Sequence, residues 1–321
     1  MRRKFVCIHG HFYQPPRENA WVEEIELQDS AAPYHDWNER ISHECYHPNG
    51  VARVLNNDNK IVDIVNNYAR LSFNFGPTLL SWLEKNDVKT YQSIVNADKD
   101  SKKRFDGHGS AIAQVYNHII MPLANKRDKE TQVKWGIYDF KRHFKRHPEG
   151  MWLAETAVDT ETLEVLAENN IKFTILAPYQ AKRFKRIGEE NWIDGIDSKK
   201  AYTCNLPSGK SIYLFFYDGD NSQGVAFNGY LNDGKQFAES LMAAFTTSEE
   251  NQLVHIATDG ESYGHHHKNG EMALASCMRY LEETSDISLI NYSQYLSLED
   301  PQYEVEINEN TSWSCAHGIE R

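Results

Sequence analysis

The chain has 321 residues, of which 40% are hydrophobic and 25% are charged, a composition typical of a globular protein whose core needs no disulfide or metal for stability. The formal net charge is -12 at pH 7, and an acidic surface repels phosphate backbones, so nucleic acid is not expected as a partner. The five cysteines form no Cys-x-x-Cys pair, which predicts reduced thiols rather than a disulfide framework or a zinc ribbon.

Short apolar runs alternate with amphipathic stretches along the chain, which is the pattern of an α/β protein. In chain order we predict strands over 5–9 and 70–75, a helix near 78–95, a helix carrying Val133, Ile137, Phe140 and Phe144, a strand over 150–154, a helix near 160–169, strands over 172–176 and 211–217, a helix carrying Phe237, Leu241, Ala244 and Phe245, a strand over 253–258, a helix near 271–283 and a strand over 287–290. No repeat or Pro/Gly-rich linker divides the chain, so a single domain over 1–321 is expected. The run 313–321 looks like the middle of a motif, so we expect that domain to be truncated at its C-terminus relative to longer relatives.

The first residues do not predict export or membrane insertion. A basic start is followed by an apolar run that is much shorter than a signal sequence requires, and His9 ends it. No other segment has the length needed to span a bilayer. We therefore expect a cytoplasmic protein without a membrane partner, and the oligomeric state stays open.

The segment 13–50 follows the first predicted strand and has no clear periodicity. Its aromatic residues, Trp21, Tyr34, Trp37 and Tyr46, are interleaved with Asp, Glu, Asn and Arg. Long loops in compact domains are often functional, and aromatic rings among polar groups suit the binding of sugars. The alternative is a loop held in place by its own aromatic residues, and the sequence does not decide between the two.

Two apolar runs end in a carboxylate. The first, in the motif PEGMWLAET over 148–156, ends at Glu155, and the second, over 253–259, ends at Asp259. In a β/α barrel, residues at the carboxyl ends of strands occupy the catalytic face. Trp152 in the first motif is either a platform for a sugar ring or a residue that fills the barrel.

Two groups of histidines lie near the ends of predicted strands, one at the first strand and one after Asp259. His9 and His11 point to the same side of an extended strand and could bind a sugar hydroxyl, ligate a metal or lie in the core; for this pair at a strand end a functional role is favoured. Three consecutive histidines, 265–267, follow Asp259. Since adjacent residues cannot all face one centre, one or two of these three at most belong to a site.

Cleavage of a glycosidic bond requires two carboxyl groups, one as acid and one as nucleophile or base, and Glu155 and Asp259 meet this requirement. At this point the segments resemble the ordered motifs of glycoside hydrolase family 57. The matching positions are His9, His11, Gln14 and Pro15 in the first motif, Trp152, Leu153 and Glu155 in the nucleophile motif, Asp259, Gly264 and His265 in the acid/base motif, and the segment 116–122 with His118 between them. The motifs occur in the family's order over nearly the whole chain.

The resemblance implies an incomplete seven-stranded (β/α) barrel and a retaining mechanism on α-linked glycans, with α-glucan as the first choice of oligo- or polysaccharide substrate and no required metal or other cofactor. It implies that Glu155 is the nucleophile and that Asp259 is the general acid and base. Retention predicts carboxyl groups roughly 5–5.5 Å apart. The residues expected to bind substrate are His9, His11, Gln14, Trp37, His118, Trp152, Glu261 and His265.

Two departures from the family pattern concern the substrate more than the chemistry. Phe12 and Tyr13 are inserted within the first motif, and the segment 107–112 lacks the glutamate that many members carry there. Two other functions remain open at this stage. One is a metal-dependent carbohydrate deacetylase or mannosidase, with ligands from His9, His11, Asp259 and one of the histidines 265–267, and the other is a catalytically silent glycan-binding protein.

Overall fold

The structure is a computed structural model that describes residues 3–56, 58–248, 250–284, 286–314 and 318–319. The strands are β1 (Lys4–Phe12), β2 (Ala52–Leu55), β3 (Ile61–Val65), β4 (Ser72–Phe75), β5 (Ala113–Gln114), β6 (Met151–Trp152), β7 (Phe173–Leu176), β8 (Ala181–Arg186), β9 (Ile193–Asp194), β10 (Ala201–Asn205), β11 (Ser211–Phe216), β12 (Gln252–Asp259), β13 (Ile287–Leu289) and β14 (Tyr303–Ile307). The α-helices are α1 (Trp37–Ile41), α2 (His47–Gly50), α3 (Pro77–Asn86), α4 (Val88–Arg104), α5 (Lys126–Phe144), α6 (Thr160–Glu168), α7 (Gly219–Phe227), α8 (Gly234–Ala243), α9 (Gly270–Glu283) and α10 (Tyr292–Leu298). Short 3-10 turns and one π turn (Ser42–Tyr46) connect them.

Seven parallel strands form an open ring in the order β12, β1, β4, β5, β6, β7 and β11. β1 pairs with both β12 and β4, β5 pairs with β6, and β7 pairs with β11. Isolated parallel bridges, Phe73 to Ala111 and Gly150 to Phe173, join β4 to the start of β5 and β6 to β7. Between β11 and β12 the described residues form no ladder, and the Asp218 N–H donates to the His255 carbonyl at 2.7 Å. The predicted α/β fold, an incomplete seven-stranded barrel, is confirmed.

The strands of the ring are buried on both faces because helices cover the outside and side chains fill the inside. All four residues of β7 are buried, as are the first seven of the eight residues of β12. The long helix α5 begins at Asn125, whose side chain accepts the Asp128 N–H, and ends at Lys145 in a left-handed conformation (φ 56°). These local signals explain why the amphipathic stripe predicted near Val133 forms a helix here.

A second sheet shares strands with the ring, in the order β7, β11, β10, β14, β8 and β9. Strands β8, β9, β10 and β14 were not predicted from the sequence. Strand β8 has the sequence Ala-Lys-Arg-Phe-Lys-Arg and is mostly half-exposed. Its charged residues interrupt the apolar pattern from which a strand is predicted. The predicted strand over 287–290 exists as β13 and pairs with the first residues of β1.

The helix predicted near 78–95 is two helices that meet at Asp87. Asp87 ends α3, and its side chain accepts the Thr90 N–H at the start of α4. An Asp at this position satisfies free N–H groups at the helix start, so the chain turns here although the apolar pattern continues on both sides.

In the segment 13–50, residues 37–50 fold into α1, a π turn and α2, whereas residues 13–36 form a loop whose one helical element is a short 3-10 turn (Asp29–Ala31). Its aromatic residues have different fates: Tyr46 is fully buried, whereas Trp21 is 94% exposed. No helix among the described residues is both long and apolar enough to cross a membrane. Cys7, Cys45, Cys204 and Cys277 are buried free thiols, and Cys315 lies outside the described residues.

Candidate active site

The predicted catalytic residues follow strands of the same parallel ring. In the register of β1, His11 is level with Asp259 on β12 and with Asn74 on β4. Glu155 lies three residues beyond Trp152, the last residue of β6. Because parallel strands end at the same face of a barrel, both carboxylates lie at the carboxyl face, with His11 on the strand next to Asp259.

Glu155 lies in a strained turn immediately after β6. Glu155 has φ 55° and Thr156 has φ 50°, two consecutive non-glycine residues in the left-handed region. Each such residue costs about 1–2 kcal/mol, and this cost persists only where surrounding contacts hold the backbone in place. The turn therefore directs the Glu155 side chain at the expense of local stability.

The buried side chain of Gln180 holds this turn. Its Oε1 accepts hydrogen bonds from the Thr156 hydroxyl and the Ala177 N–H, both at 2.8 Å. Its Nε2 donates to the Thr156 carbonyl at 2.9 Å and to the Thr311 carbonyl at 3.1 Å. One amide thus joins the Glu155 turn to the segment that follows β14.

We expect Gln180→Leu to reduce the free energy of unfolding by about 2–4 kcal/mol, because it leaves buried donors and acceptors without partners. The strained turn would also relax, so activity that depends on Glu155 should fall further than the unfolded fraction explains. Urea denaturation and activity measured at a temperature where the variant is folded separate the two effects. Gln236→Leu, at an exposed position of α8, is the control. Wild-type stability in Gln180→Leu would show that Gln180 does not hold the turn.

Trp313 is a residue of this site that was not predicted from the sequence. Its indole N–H donates to Glu155 Oε2 at 3.2 Å, and its backbone N–H donates to the Glu155 carbonyl at 2.8 Å. Its ring lies 5.0 Å from the Trp152 ring and 6.2 Å from the Tyr217 ring. The tryptophan at the start of the run 313–321 was the available signal, but nothing in the sequence relates it to Glu155.

Asp259 is accessible to solvent, but its carboxyl group is less well solvated than it would be in water. It is the exposed last residue of β12, yet protein atoms surround its carboxyl group at the strand ends. Burial of the carboxyl group and the charge of Glu155 raise the pKa of Asp259 to about 6. A carboxyl group that keeps its proton up to about pH 6, beside a second carboxyl group that bears a charge, is the arrangement of an acid and a nucleophile.

His9 and Trp152 lie in the interior of the barrel. Both are 0% exposed, and their rings stack at 5.0 Å. His9 bonds Ser72 Oγ at 2.9 Å and Asn74 Oδ1 at 3.1 Å, and burial lowers the pKa of His9 to about 3. Of the alternatives stated for these two residues, the structure favours barrel filling for Trp152 and a neutral core histidine for His9.

His11 and His118 lie above this layer. Their Nε2 atoms are 3.0 Å apart, and the Tyr13 ring stacks on His118 at 3.8 Å. Burial lowers the pKa of His118 to about 4, and the Glu155 charge partly opposes this shift. His118 is half-buried and electrostatically coupled to Glu155, so it is a wall of the same site.

Glu261 is a buried carboxyl group directly behind Asp259. Its Oε1 accepts from the Tyr46 hydroxyl at 2.6 Å and from the Tyr13 N–H at 3.1 Å. Burial raises the pKa of Glu261 to about 7, the Tyr46 hydrogen bond opposes this, and the Asp259 charge adds to it. Gln14 joins the cluster from the surface side, with its Oε1 accepting from the Arg17 guanidinium at 2.6 Å.

Glu261 makes folding stability depend on pH. Its pKa rises from 4.5 to about 7 on folding, so its contribution is full below pH 4.5 and decreases as the pH rises to 7. The shift corresponds to a loss of the order of 3 kcal/mol across this interval. We expect Glu261→Gln to remove most of this loss, which denaturation curves at pH 5, 6, 7 and 8 would detect. Parallel pH profiles for the variant and the wild type would contradict the assignment.

Trp37 and His265 form a separate group near α1. The Arg40 guanidinium lies 4.8 Å from the Trp37 ring centroid, and the His265 ring lies 5.9 Å from that of Trp37. His265 also bonds the Glu44 carboxylate. His265 and Glu44 line an 800 Å³ cavity. Of the residues expected to bind sugar, Trp37 therefore belongs to α1, and His265 contacts both α1 and the π turn.

Within the described ranges, no group of three or more His, Cys, Asp or Glu side chains is arranged to hold a metal ion. His9 cannot turn towards a metal without losing its bonds to Ser72 and Asn74. The residues considered as metal ligands in the sequence are thus distributed between the core, the site and the cavity near α1.

Comparisons with known proteins agree with this architecture. A crystal structure of 4-alpha-glucanotransferase from Thermococcus litoralis superposes with a TM-score of 0.70 at 18% identity, over 98% of this chain and 43% of that chain. An exo-type maltose-forming amylase from Pyrococcus sp. ST04 gives a TM-score of 0.70 at 17% identity, over 99% of this chain and 54% of that chain. At these identities the likeness shows the fold.

A sequence relative is alpha-amylase 1 of Dictyoglomus thermophilum, which is 28% identical over 109 residues, covering 33% of this chain and 15% of the amylase. The chain therefore spans about half or less of the length of these three relatives. The family model described as glycosyl hydrolase family 57 matches residues 18–308, which include Glu155, Asp259 and the strands that carry them. On this match, the chain belongs to glycosyl hydrolase family 57.

Proposed function

We propose that this chain acts on α-linked glucans by a retaining mechanism, with Glu155 as nucleophile and Asp259 as general acid and base. The observation that carries the proposal is the pairing of two carboxyl groups at one barrel face. The pKa of Asp259 is raised to about 6 by burial and by the Glu155 charge. Glu155 is held by a strained turn and by the Trp313 indole N–H. Asp259 is therefore suited to proton donation, and Glu155 is suited to attack on the anomeric carbon.

In the first step, the ionised Glu155 carboxylate attacks the anomeric carbon while the bond from that carbon to the leaving oxygen breaks. Asp259 transfers its proton to the leaving oxygen, and a glycosyl ester of Glu155 remains. The ester has no charge, so the part of the raised pKa of Asp259 that the Glu155 charge caused disappears, and Asp259 becomes a base. It then removes the proton from water or a sugar hydroxyl, which attacks the ester and releases Glu155.

The substrate class in the proposal follows from the relatives. Their names describe an alpha-amylase, a 4-alpha-glucanotransferase and a maltose-forming amylase. An oligo- or polysaccharide of α-linked glucose is therefore proposed for this chain, bound along the wall formed by Tyr13, His118 and Trp313. The choice of water or a sugar hydroxyl as acceptor separates hydrolysis from transfer and does not alter the first step.

The test is product formation from a panel of α-linked glucans, galactans and mannans, each with and without a chelator. We expect activity on glucans that the chelator does not change, and an α-configured first product detected by NMR before mutarotation. A β-configured first product would contradict retention. Loss of activity with the chelator, or deacetylation in place of cleavage, would indicate the metal-dependent alternative, and binding without turnover would indicate a silent glycan-binding protein.

A further inference from the structure

Asn74 lies between two histidines at the centre of a buried hydrogen-bond chain. It is 0% exposed on β4. Its Oδ1 is 3.1 Å from His9 Nε2, and its Nδ2 is 2.9 Å from His11 Nδ1. The Nδ2 also donates to Gln114 Oε1 at 2.8 Å. Each polar atom of the Asn74 amide therefore has a defined partner.

The chemistry of the Asn74 amide sets which atom donates and which accepts in each hydrogen bond of this series. An amide nitrogen only donates, so His11 Nδ1 must accept from Asn74. A neutral imidazole has one N–H, and burial lowers the pKa of His11 well below its usual value. The proton of His11 is therefore on Nε2, and it is donated to His118 Nε2 at 3.0 Å. His118, which is also neutral, must carry its own proton on Nδ1.

The Nδ1–H of His118 is available to a ligand. Within the part of the chain that the structure describes, Nδ1 of His118 has no hydrogen-bond partner, while the Tyr13 ring stacks on the imidazole at 3.8 Å and the His11 ring lies beside it at 5.1 Å. The backbone of His118 is left-handed (φ 53°), and strained residues of this kind concentrate at functional sites. The ring is thus fixed in position beside the Glu155 charge with one donor unused.

We propose that Asn74 is a positioning residue, which fixes His118 as an Nδ1–H donor to the sugar hydroxyl next to the reacting carbon. This inference rests on the proposed function. A hydroxyl that donates its own hydrogen to the Glu155 carboxylate can only accept from His118, so a donor is required. Contacts to this hydroxyl strengthen as the transition state forms, so reversing the His118 tautomer should affect kcat more than KM.

Asn74→Asp tests the donor and acceptor order of these hydrogen bonds, because an ionised carboxylate only accepts. His11 would then donate from Nδ1, and His118 would donate from Nε2 and lose its Nδ1 proton. Gln114 can adapt by turning its Nε2, a buried atom without a partner, towards the carboxylate. Two-dimensional 1H–15N NMR of the histidine rings at pH 8 reports the tautomers. We expect His118 protonated on Nδ1 in the wild type and on Nε2 in the variant.

Activity supplies the second readout. We expect kcat on glucan to fall roughly 10- to 100-fold in Asn74→Asp, as for one lost transition-state hydrogen bond, with a smaller change in KM. The matched control is Ser110→Ala, which removes a buried hydroxyl without a partner in the neighbouring segment. It should keep both the wild-type tautomers and the wild-type kcat.

His118→Asn and His118→Ala extend the test to the donor itself. Asn tolerates a left-handed backbone and supplies an N–H near the Nδ1 position, so it should retain most of kcat, whereas Ala should lose roughly 10- to 100-fold. A wild-type His118 protonated on Nε2, an Asn74→Asp variant with unchanged tautomers, or equal kcat in the Asn and Ala variants would overturn the proposal. If wild-type protein acts on no glucan, the proposed function fails, and the NMR result still decides the role of Asn74.

Discussion

Replacing Glu155 with glutamine is expected to reduce kcat/KM on α-glucans by at least about 10⁴-fold, the scale seen when a nucleophile is removed. The amide has the shape of the carboxylate and can still accept the Trp313 indole N–H, so the fold and the turn remain. What it lacks is the charge and lone-pair reactivity needed to form the glycosyl ester. Initial rates on a soluble α-glucan measure the loss.

A second substitution at the same position identifies the missing step. Glu155→Gly suits the left-handed backbone at this residue (φ 55°) and leaves space for a small anion. With azide present, an activated α-glucosyl substrate should yield a β-glucosyl azide, because azide attacks from the face that Glu155 occupied. Glu168→Gln, at an exposed position of α6, is the control. Retention of a tenth or more of wild-type activity in Glu155→Gln would exclude Glu155 as nucleophile.

Asp259 should set the alkaline limit of activity. The reactive enzyme holds a proton on Asp259 before the first step, and the pKa of this group is raised to about 6 by burial and the Glu155 charge. As the pH rises through this value the proton is lost, so kcat/KM should fall tenfold per pH unit above about pH 6. A pH series of kcat/KM on an α-glucan with a poor leaving group measures this limb.

Asp259→Asn should reduce the rate on such glucans by about 10²- to 10⁴-fold, which is the usual contribution of a general acid. With α-glucosyl fluoride, whose leaving group needs no proton, the first step should be much less affected, and the limb above pH 6 should disappear. Asp220→Asn, at an exposed position of α7, is the control. An unchanged alkaline limb in the Asp259 variant would assign the acid to another residue.

The parts of the fold that the sequence predicts are the segments whose structure follows from their own apolar pattern. Strands β1, β7 and β12 contain mostly apolar residues and are buried on both faces along nearly their whole length, and this pattern is visible without a structure. The two carboxylates at strand ends were predicted for the same reason. Strand β5 has two residues, Ala113 and Gln114, which is too short for any periodicity.

Other features depend on contacts between distant segments. Asn74 lies within the short run Ser-Phe-Asn-Phe, where an asparagine looks like a weak strand residue. Its hydrogen bonds join histidines that are 63 and 65 positions away in the sequence. Gln180 likewise holds the Glu155 turn from another part of the chain. A single sequence contains no local signal for such pairs, because the physical cause is tertiary hydrogen bonding.

The link between Trp313 and Glu155 spans 158 residues, and this has a consequence for protein synthesis. Synthesis proceeds from the N-terminus, so the strands that bear Glu155 and Asp259 leave the ribosome before residue 313. Until the segment after β14 has followed them, Glu155 has no indole partner. The contacts of Glu155 are therefore complete only once this later segment docks, and a chain interrupted between residues 259 and 313 would contain both carboxylates without the Trp313 hydrogen bond.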